Sequence, residues 1–152
     1  MLSRRSVAFV LCLFALSSLS AAVEQPTQAA AQQSLYKRIG GYDVLAALTD
    51  DIFGRAVADP QLSRFFKGHS VDTQKHQRQH VVDLLCQAAG GPCLYPGREM
   101  KTVHTGLGIT ESDWQILMKH VQESLTKLKI PQQEAYDFNA LIESFKGDVV
   151  GR

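Results

Sequence analysis

The sequence predicts an all-α domain behind an export leader, and three observations carry that prediction. Apolar residues recur at helical spacing in several separate runs. Gly and Pro pairs punctuate those runs. No two neighbouring segments alternate in the manner of a hairpin, so strands are not expected. A chain of 152 residues suits one domain with a real core. Its 16 Lys and Arg balance 15 Asp and Glu, with no basic run, which excludes nucleic acid as the expected partner.

Arg4 and Arg5 precede an apolar stretch from Val7 to Leu16, and small residues follow at Ser20, Ala21 and Ala22. This is the pattern of a secretory signal peptide over 1–22, cleaved after Ala22. The stretch is too short to span a bilayer, so no stable membrane insertion is expected after cleavage. Its start, "S-R-R-S-V-A-F", resembles in part a twin-arginine export signal. The expected location is therefore outside the cytoplasm, in a bacterial periplasm. Residues 23–33 are polar and alanine-rich and read as a spacer. Folding is expected over 34–152.

Within that domain, Val44, Leu45, Leu48, Ile52 and Phe53 give a helix over Tyr42–Ala58, stopped by Asp59-Pro60. A short aromatic segment, "L-S-R-F-F-K-G", follows. A longer helix is expected from about Thr73 to Ala89, ended by Gly90-Gly91-Pro92. Met100, Val103 and Leu107 predict a short helix cut off by Gly106 and Gly108. Thr110 and Asp113 form a capping-box pattern opening a helix from Glu111 to about Leu128. Pro131 reads as the first helical residue of a last segment, striped by Phe138, Leu141, Ile142, Phe145 and Val149.

Two of these helices carry polar groups on faces that otherwise look like core. His104 lies on the side of Met100, Val103 and Leu107. Gln77, His80, Val81, Leu84, Leu85 and Ala88 follow one continuous helical stripe. Burying an amide or an imidazole costs free energy unless it is hydrogen-bonded or ligated. Gln77 and His80 therefore either reach water at the helix edge or face a ligand in a shared interior.

From Ser34 onward the chain resembles the group I truncated haemoglobins. The segments that carry the resemblance are "L-Y-K-R-I-G-G" at 35–41, "A-D-P-Q-L-S-R-F-F-K-G" at 58–68, "L-C-Q-A-A-G-G-P-C-L-Y-P-G" at 85–97 and "M-K-T-V-H-T-G-L-G-I-T" at 100–110. The resemblance implies a two-over-two helical sandwich around haem. It makes His104 the proximal iron ligand, with its other ring nitrogen donating to a carbonyl or water. Met100, Val103 and Leu107 would press on the porphyrin and Phe66 would wedge against it. Tyr95 and Lys101 fall where propionate contacts are expected. On the distal side Phe53 stands where many members carry a tyrosine, so no hydroxyl donor is available there. Gln77 takes the helix position nearest the iron, and Val81 replaces a frequent polar residue. His80, in "Q-R-Q-H-V", matches a histidine that ligates haem iron in cyanobacterial members.

The function implied is the binding of dioxygen, nitric oxide or similar small ligands, with nitric oxide dioxygenation or other redox chemistry in some relatives. Such chemistry would draw on a separate electron donor, because no flavin or nicotinamide motif is present. A bis-histidine electron-transfer or peroxidase-like protein is the alternative within the same family. Outside it, His76 and His80 at i, i+4 suggest a zinc or copper site, though no third ligand is evident. Of the cysteines beyond the leader, Cys86 and Cys93 flank the Gly-Gly-Pro break. They are expected as free thiols, since a helix-to-turn geometry must bring two Cα atoms within about 7 Å for a bridge.

Overall fold

The computed structural model describes residues 33–152. The leader and nearly all of the spacer lie outside the described residues. Within them the chain forms α1 (Leu35–Ile39), α2 (Tyr42–Ala58), a 3-10 turn (Leu62–Phe66), α3 (Val71–Ala88), α4 (Met100–His104), α5 (Glu111–Lys127), α6 (Gln132–Glu143) and α7 (Lys146–Val149). No strand occurs among the described residues, and none of their helices is long and apolar enough to cross a membrane.

Local chemistry sets the boundaries. At the end of α2, Asp59 takes an extended backbone and its Oδ1 accepts the N–H groups of Gln61 and Leu62, which starts the 3-10 turn. Helix α3 begins two residues before the expected Thr73, because the Ser70 hydroxyl accepts the Thr73 N–H and caps it. The expected capping box of α5 is complete, with Thr110 and Asp113 each bonding the other's backbone N–H. Pro131 is the N-cap of α6 and lies outside the helix, since its ψ of 151° is extended. The last stripe also breaks at Ser144 and Phe145, so that α7 is a separate turn.

Helix α2 packs against both α3 and α5, and α5 packs against α6, which makes two crossed helix pairs. Between them lie Leu45, Leu48, Val121, Leu125 and Phe138, each at most 1% exposed. Burial of side chains this size stabilises by about 1.5–3 kcal/mol apiece. Helix α1 docks on α6, where Arg38 pairs with Glu134 and Asp137, and α4 lies beside α7.

Helix α3 turns two adjacent strips inward. Val82, Leu85, Cys86 and Ala89 form the core strip, and Gln77, Val81 and Leu84 form a strip beside it. Ala88, expected on the buried stripe, is exposed instead, and Val82 takes the central place. The helix ends in a Schellman turn. Gly91 N–H donates to the Cys86 carbonyl (2.8 Å) and Gly90 N–H to that of Gln87 (3.0 Å), with Gly90 left-handed at φ 79°. A Cβ on Gly91 would lie 2.7 Å from the Cys86 sulfur and 2.6 Å from the Tyr36 ring, so only glycine passes.

That turn overturns the expectation of free thiols. Cys86 and Cys93 form a disulfide, with Cα atoms 5.7 Å apart. The reversal at Gly90 and Gly91 folds the following residues back along α3, so the chain returns within bridging distance.

Candidate functional site

The crossed helices do not close completely, and a cavity of about 660 Å³ remains between them. That is within the range for a ligand or cofactor site. Ile52 and Phe53 of α2, Phe66 of the 3-10 turn, and Gln77, Val81 and Leu84 of α3 line one part of it. Met100, Val103 and His104 of α4 line another, with Leu107 just beyond, and Trp114, Leu117 and Phe145 form the back. Tyr95 to Arg98, in the irregular segment between α3 and α4, complete the wall.

Helix α4 is a stub of five residues, and the chain leaves it through left-handed glycines at 106 (φ 83°) and 108 (φ 64°). His104 Nδ1 lies 2.8 Å from the Met100 carbonyl oxygen. A carbonyl only accepts, so Nδ1 carries the proton in that bond and the neutral ring keeps its lone pair on Nε2. The bond also fixes the ring plane. The structure thus gathers His104, Met100, Val103 and Leu107 at one cavity, although Leu107 stands past the helix end.

The Phe53 and Phe66 rings meet edge to face at 5.1 Å and present hydrocarbon to the cavity. Gln77 also lines it, and its Oε1 is buried without a hydrogen-bond partner. A buried amide oxygen left bare costs about 1–3 kcal/mol unless a bound group meets the amide. His80 lines the cavity on the exposed flank of α3, its ring edge-on to Tyr95 at 6.1 Å. Tyr95 donates its hydroxyl to the Arg98 carbonyl (2.8 Å), and burial pushes its phenol pKa upward. Lys101 is exposed and is not among the residues that line the cavity. His76 is likewise exposed and outside the lining, and among the described residues no three His, Cys, Asp or Glu side chains gather as a metal site.

Sequence reasoning missed Arg98 and the second role of Asp113. The Asp113 carboxylate, 1% exposed, accepts from the Thr110 N–H (2.8 Å) and hydroxyl (2.7 Å), from Gln61 Nε2 (2.7 Å) and from Arg64 Nη2 (2.6 Å). Burial alone would raise its pKa. The Gln61 and Thr110 hydrogen bonds and the Arg64 charge outweigh burial and hold the carboxyl at about 2. Asp113 therefore binds the Phe66-bearing turn to α5 at the cavity's edge. Only its i, i+3 spacing from Thr110 was readable, and that spacing signals a cap and nothing more.

The residues present suit a flat apolar cofactor with one metal. The walls are largely hydrocarbon, one imidazole offers a free Nε2, and the oxygen of one lining amide is buried and unpaired. A helical sandwich enclosing such a pocket defines a haem-binding globin. Residues 34–150 match the family described as bacterial-like globin. The group 1 truncated hemoglobin of Mycolicibacterium paratuberculosis is 36% identical over 100 residues, covering 66% of this chain and 71% of that protein. That of Chlamydomonas moewusii is 30% identical over 119 residues, covering 77% and 68%. Among solved structures, the 2/2 hemoglobin of Synechococcus, cyanomet and with covalently attached heme, superposes with a TM-score of 0.71 at 25% identity. It covers 79% of this chain and all of that one. A tyrosine-to-phenylalanine mutant of the truncated hemoglobin of Tetrahymena pyriformis, in the Fe(III) form, gives 0.72 at 25% identity, with the same coverage. This chain belongs to the bacterial-like globin family, with group 1 truncated hemoglobins among its relatives, and its cofactor is haem.

Proposed function

We propose that this protein is an exported globin that binds dioxygen, nitric oxide or similar diatomic ligands, with His104 as the proximal ligand. Haem, when bound, supplies the iron at which such ligands bind. The observation that carries the reading is the His104 bond to the Met100 carbonyl, which leaves Nε2 free in an apolar cavity. The chain's own residues do the rest. Met100, Val103 and Phe66 exclude water, Gln77 offers a donor to a bound ligand once its amide turns Nε2 inward, and Phe53 offers none. A ligand is accordingly held by one donor at most from these two positions. Tyr95 serves as a wall against the cofactor edge, and Lys101 is free to reach a propionate from outside. Any nitric oxide dioxygenase activity would draw electrons from a separate donor.

Export accords with the leader and with the Cys86–Cys93 bridge, since disulfides persist mainly in oxidising compartments. The periplasm is the proposed location. His104→Ala tests the site: the variant should lose haem on purification and regain a haem spectrum with added imidazole. An unchanged spectrum in that variant would sink the assignment.

A second reading has its own observation. The His80 imidazole lines the same cavity and no hydrogen bond holds it among the described residues. In that reading His80 ligates the iron when no external ligand is present, which suits electron transfer or peroxidase-like chemistry. The ferric spectrum decides. Low-spin bands that turn high-spin in His80→Leu support it, and a high-spin wild type rules it out.

A further inference from the structure

One wall of the cavity differs from the others. Tyr95, Pro96, Gly97 and Arg98 line it in succession, yet this segment belongs to no helix. Among the described residues no backbone-to-backbone hydrogen bond involves positions 92–98. The segment is instead a small unit closed on itself. The Tyr95 ring lies over Gly97, where a Cβ would come within 2.3 Å of it, and its hydroxyl bonds the Arg98 carbonyl. Three attachments hold the unit to α3. They are the disulfide from Cys93, a hydrogen bond from the Tyr95 N–H to Gln87 Oε1 (2.7 Å), and the edge contact of Tyr95 with His80. The disulfide alone is covalent. Segments with few buried backbone bonds open at low free energy, so this attachment decides how firmly the wall stays shut.

We propose that the Cys86–Cys93 disulfide is a redox-sensitive latch on the haem pocket, closed when oxidised and released by a dithiol reductant. The inference rests on the haem-globin reading of the cavity. Cys86 is fully buried whereas Cys93 is only partly so, which directs attack to the Cys93 sulfur. One thiolate of the reductant bonds Cys93 Sγ, the bond between the protein sulfurs breaks, and Cys86 leaves as a thiolate that takes a proton. The second thiol of the reductant then attacks its own sulfur in the mixed bridge and frees Cys93. Two electrons and two protons pass to the protein, and the dithiol ends as a disulfide. The wall then keeps only the Gln87 bond and the His80 contact, and the cofactor edge is uncovered.

The test uses the mature chain loaded with ferric haem. Haem loss to excess apomyoglobin is timed for the oxidised protein and for protein treated with dithiothreitol and desalted without oxygen. Thiol titration confirms release of both cysteines. Reduction should speed haem loss about ten-fold or more, within what cross-linking a short loop contributes, and reoxidation should restore the slow rate. Cys93→Ser should be fast and indifferent to dithiol, and Tyr95→Leu should be fast with the bridge intact. Should Cys93→Ser not fold, the reduced wild type carries the comparison alone. Equal rates for oxidised and reduced protein would overturn the latch, as would a dithiol effect that survives in Cys93→Ser. Absence of a porphyrin band from both redox forms would overturn the haem reading itself, a failure distinct from equal rates in two loaded forms.

Discussion

Replacing Asp113 by Asn keeps the size of the side chain and removes its charge, and the structure allows the cost to be worked out. The folded carboxyl is held at about 2, below its ordinary value of 3.8. Ionisation therefore favours the fold by roughly 2.5 kcal/mol, at about 1.4 kcal/mol per pKa unit. The group is buried, so solvent screens little of this. Asn also turns an N–H₂ toward donors, on Thr110, Gln61 or Arg64, that now meet an acceptor. Urea unfolding of the haem-loaded protein at pH 7 should show a loss of about 2–3 kcal/mol. The pH dependence fixes the cause. A carboxyl with a depressed folded pKa contributes its full stability above the unfolded value, and that contribution falls as pH drops through the folded one. The gap between wild type and Asn should hold from pH 7 to about 5 and shrink by roughly half at pH 3. A gap that stays constant down to pH 3 would mean that packing, and not charge, sets the cost. A gap near zero at pH 7 would refute the reasoning altogether.

Three further outcomes are expected. Phe53→Tyr adds a hydroxyl at the cavity wall and should slow dioxygen release by about ten-fold, the worth of one hydrogen bond, measured by stopped-flow displacement. Gly91→Ala places a Cβ against the Cys86 sulfur and the Tyr36 ring, and should cost about 1–3 kcal/mol with a reduced yield of the disulfide, read by thiol titration. Lys129 holds a left-handed φ of 54° at the end of α5, so Lys129→Gly should gain about 0.5–1 kcal/mol in urea unfolding.

Much of this fold could be read from local chemistry. The Asp59-Pro60 stop, the Thr110–Asp113 box and the Gly90-Gly91 break each act within a few residues, and the helices between them follow. His104 stood out for the same reason, an imidazole among apolar neighbours at helical spacing. What stayed hidden depends on partners far away in the chain. Val82 is buried and Ala88 exposed because the face of α3 that goes inward is set by its packing against α2, which no single helix can announce. The bond between Asp113 and Arg64 joins residues 49 positions apart, and no spacing rule reaches that far. The disulfide was hidden for a subtler reason, since the helix end is legible in local residues but the path that the reversal gives Cys93 is not.

The docking of α1 bears on the order in which the molecule assembles. Its Tyr36 N–H donates to the Ala89 carbonyl, and its Arg38 pairs with Glu134 and Asp137. The first of the described helices to be synthesised therefore has no complete partner until residue 137 has been made. Bringing such distant segments together carries a loop-closure cost that local helix formation avoids. Helices α2, α3 and α5 can collapse on one another while α1 still waits at the far end of the growing chain. Among the described helices, the earliest in the sequence is thus seated only after most of the others have been made.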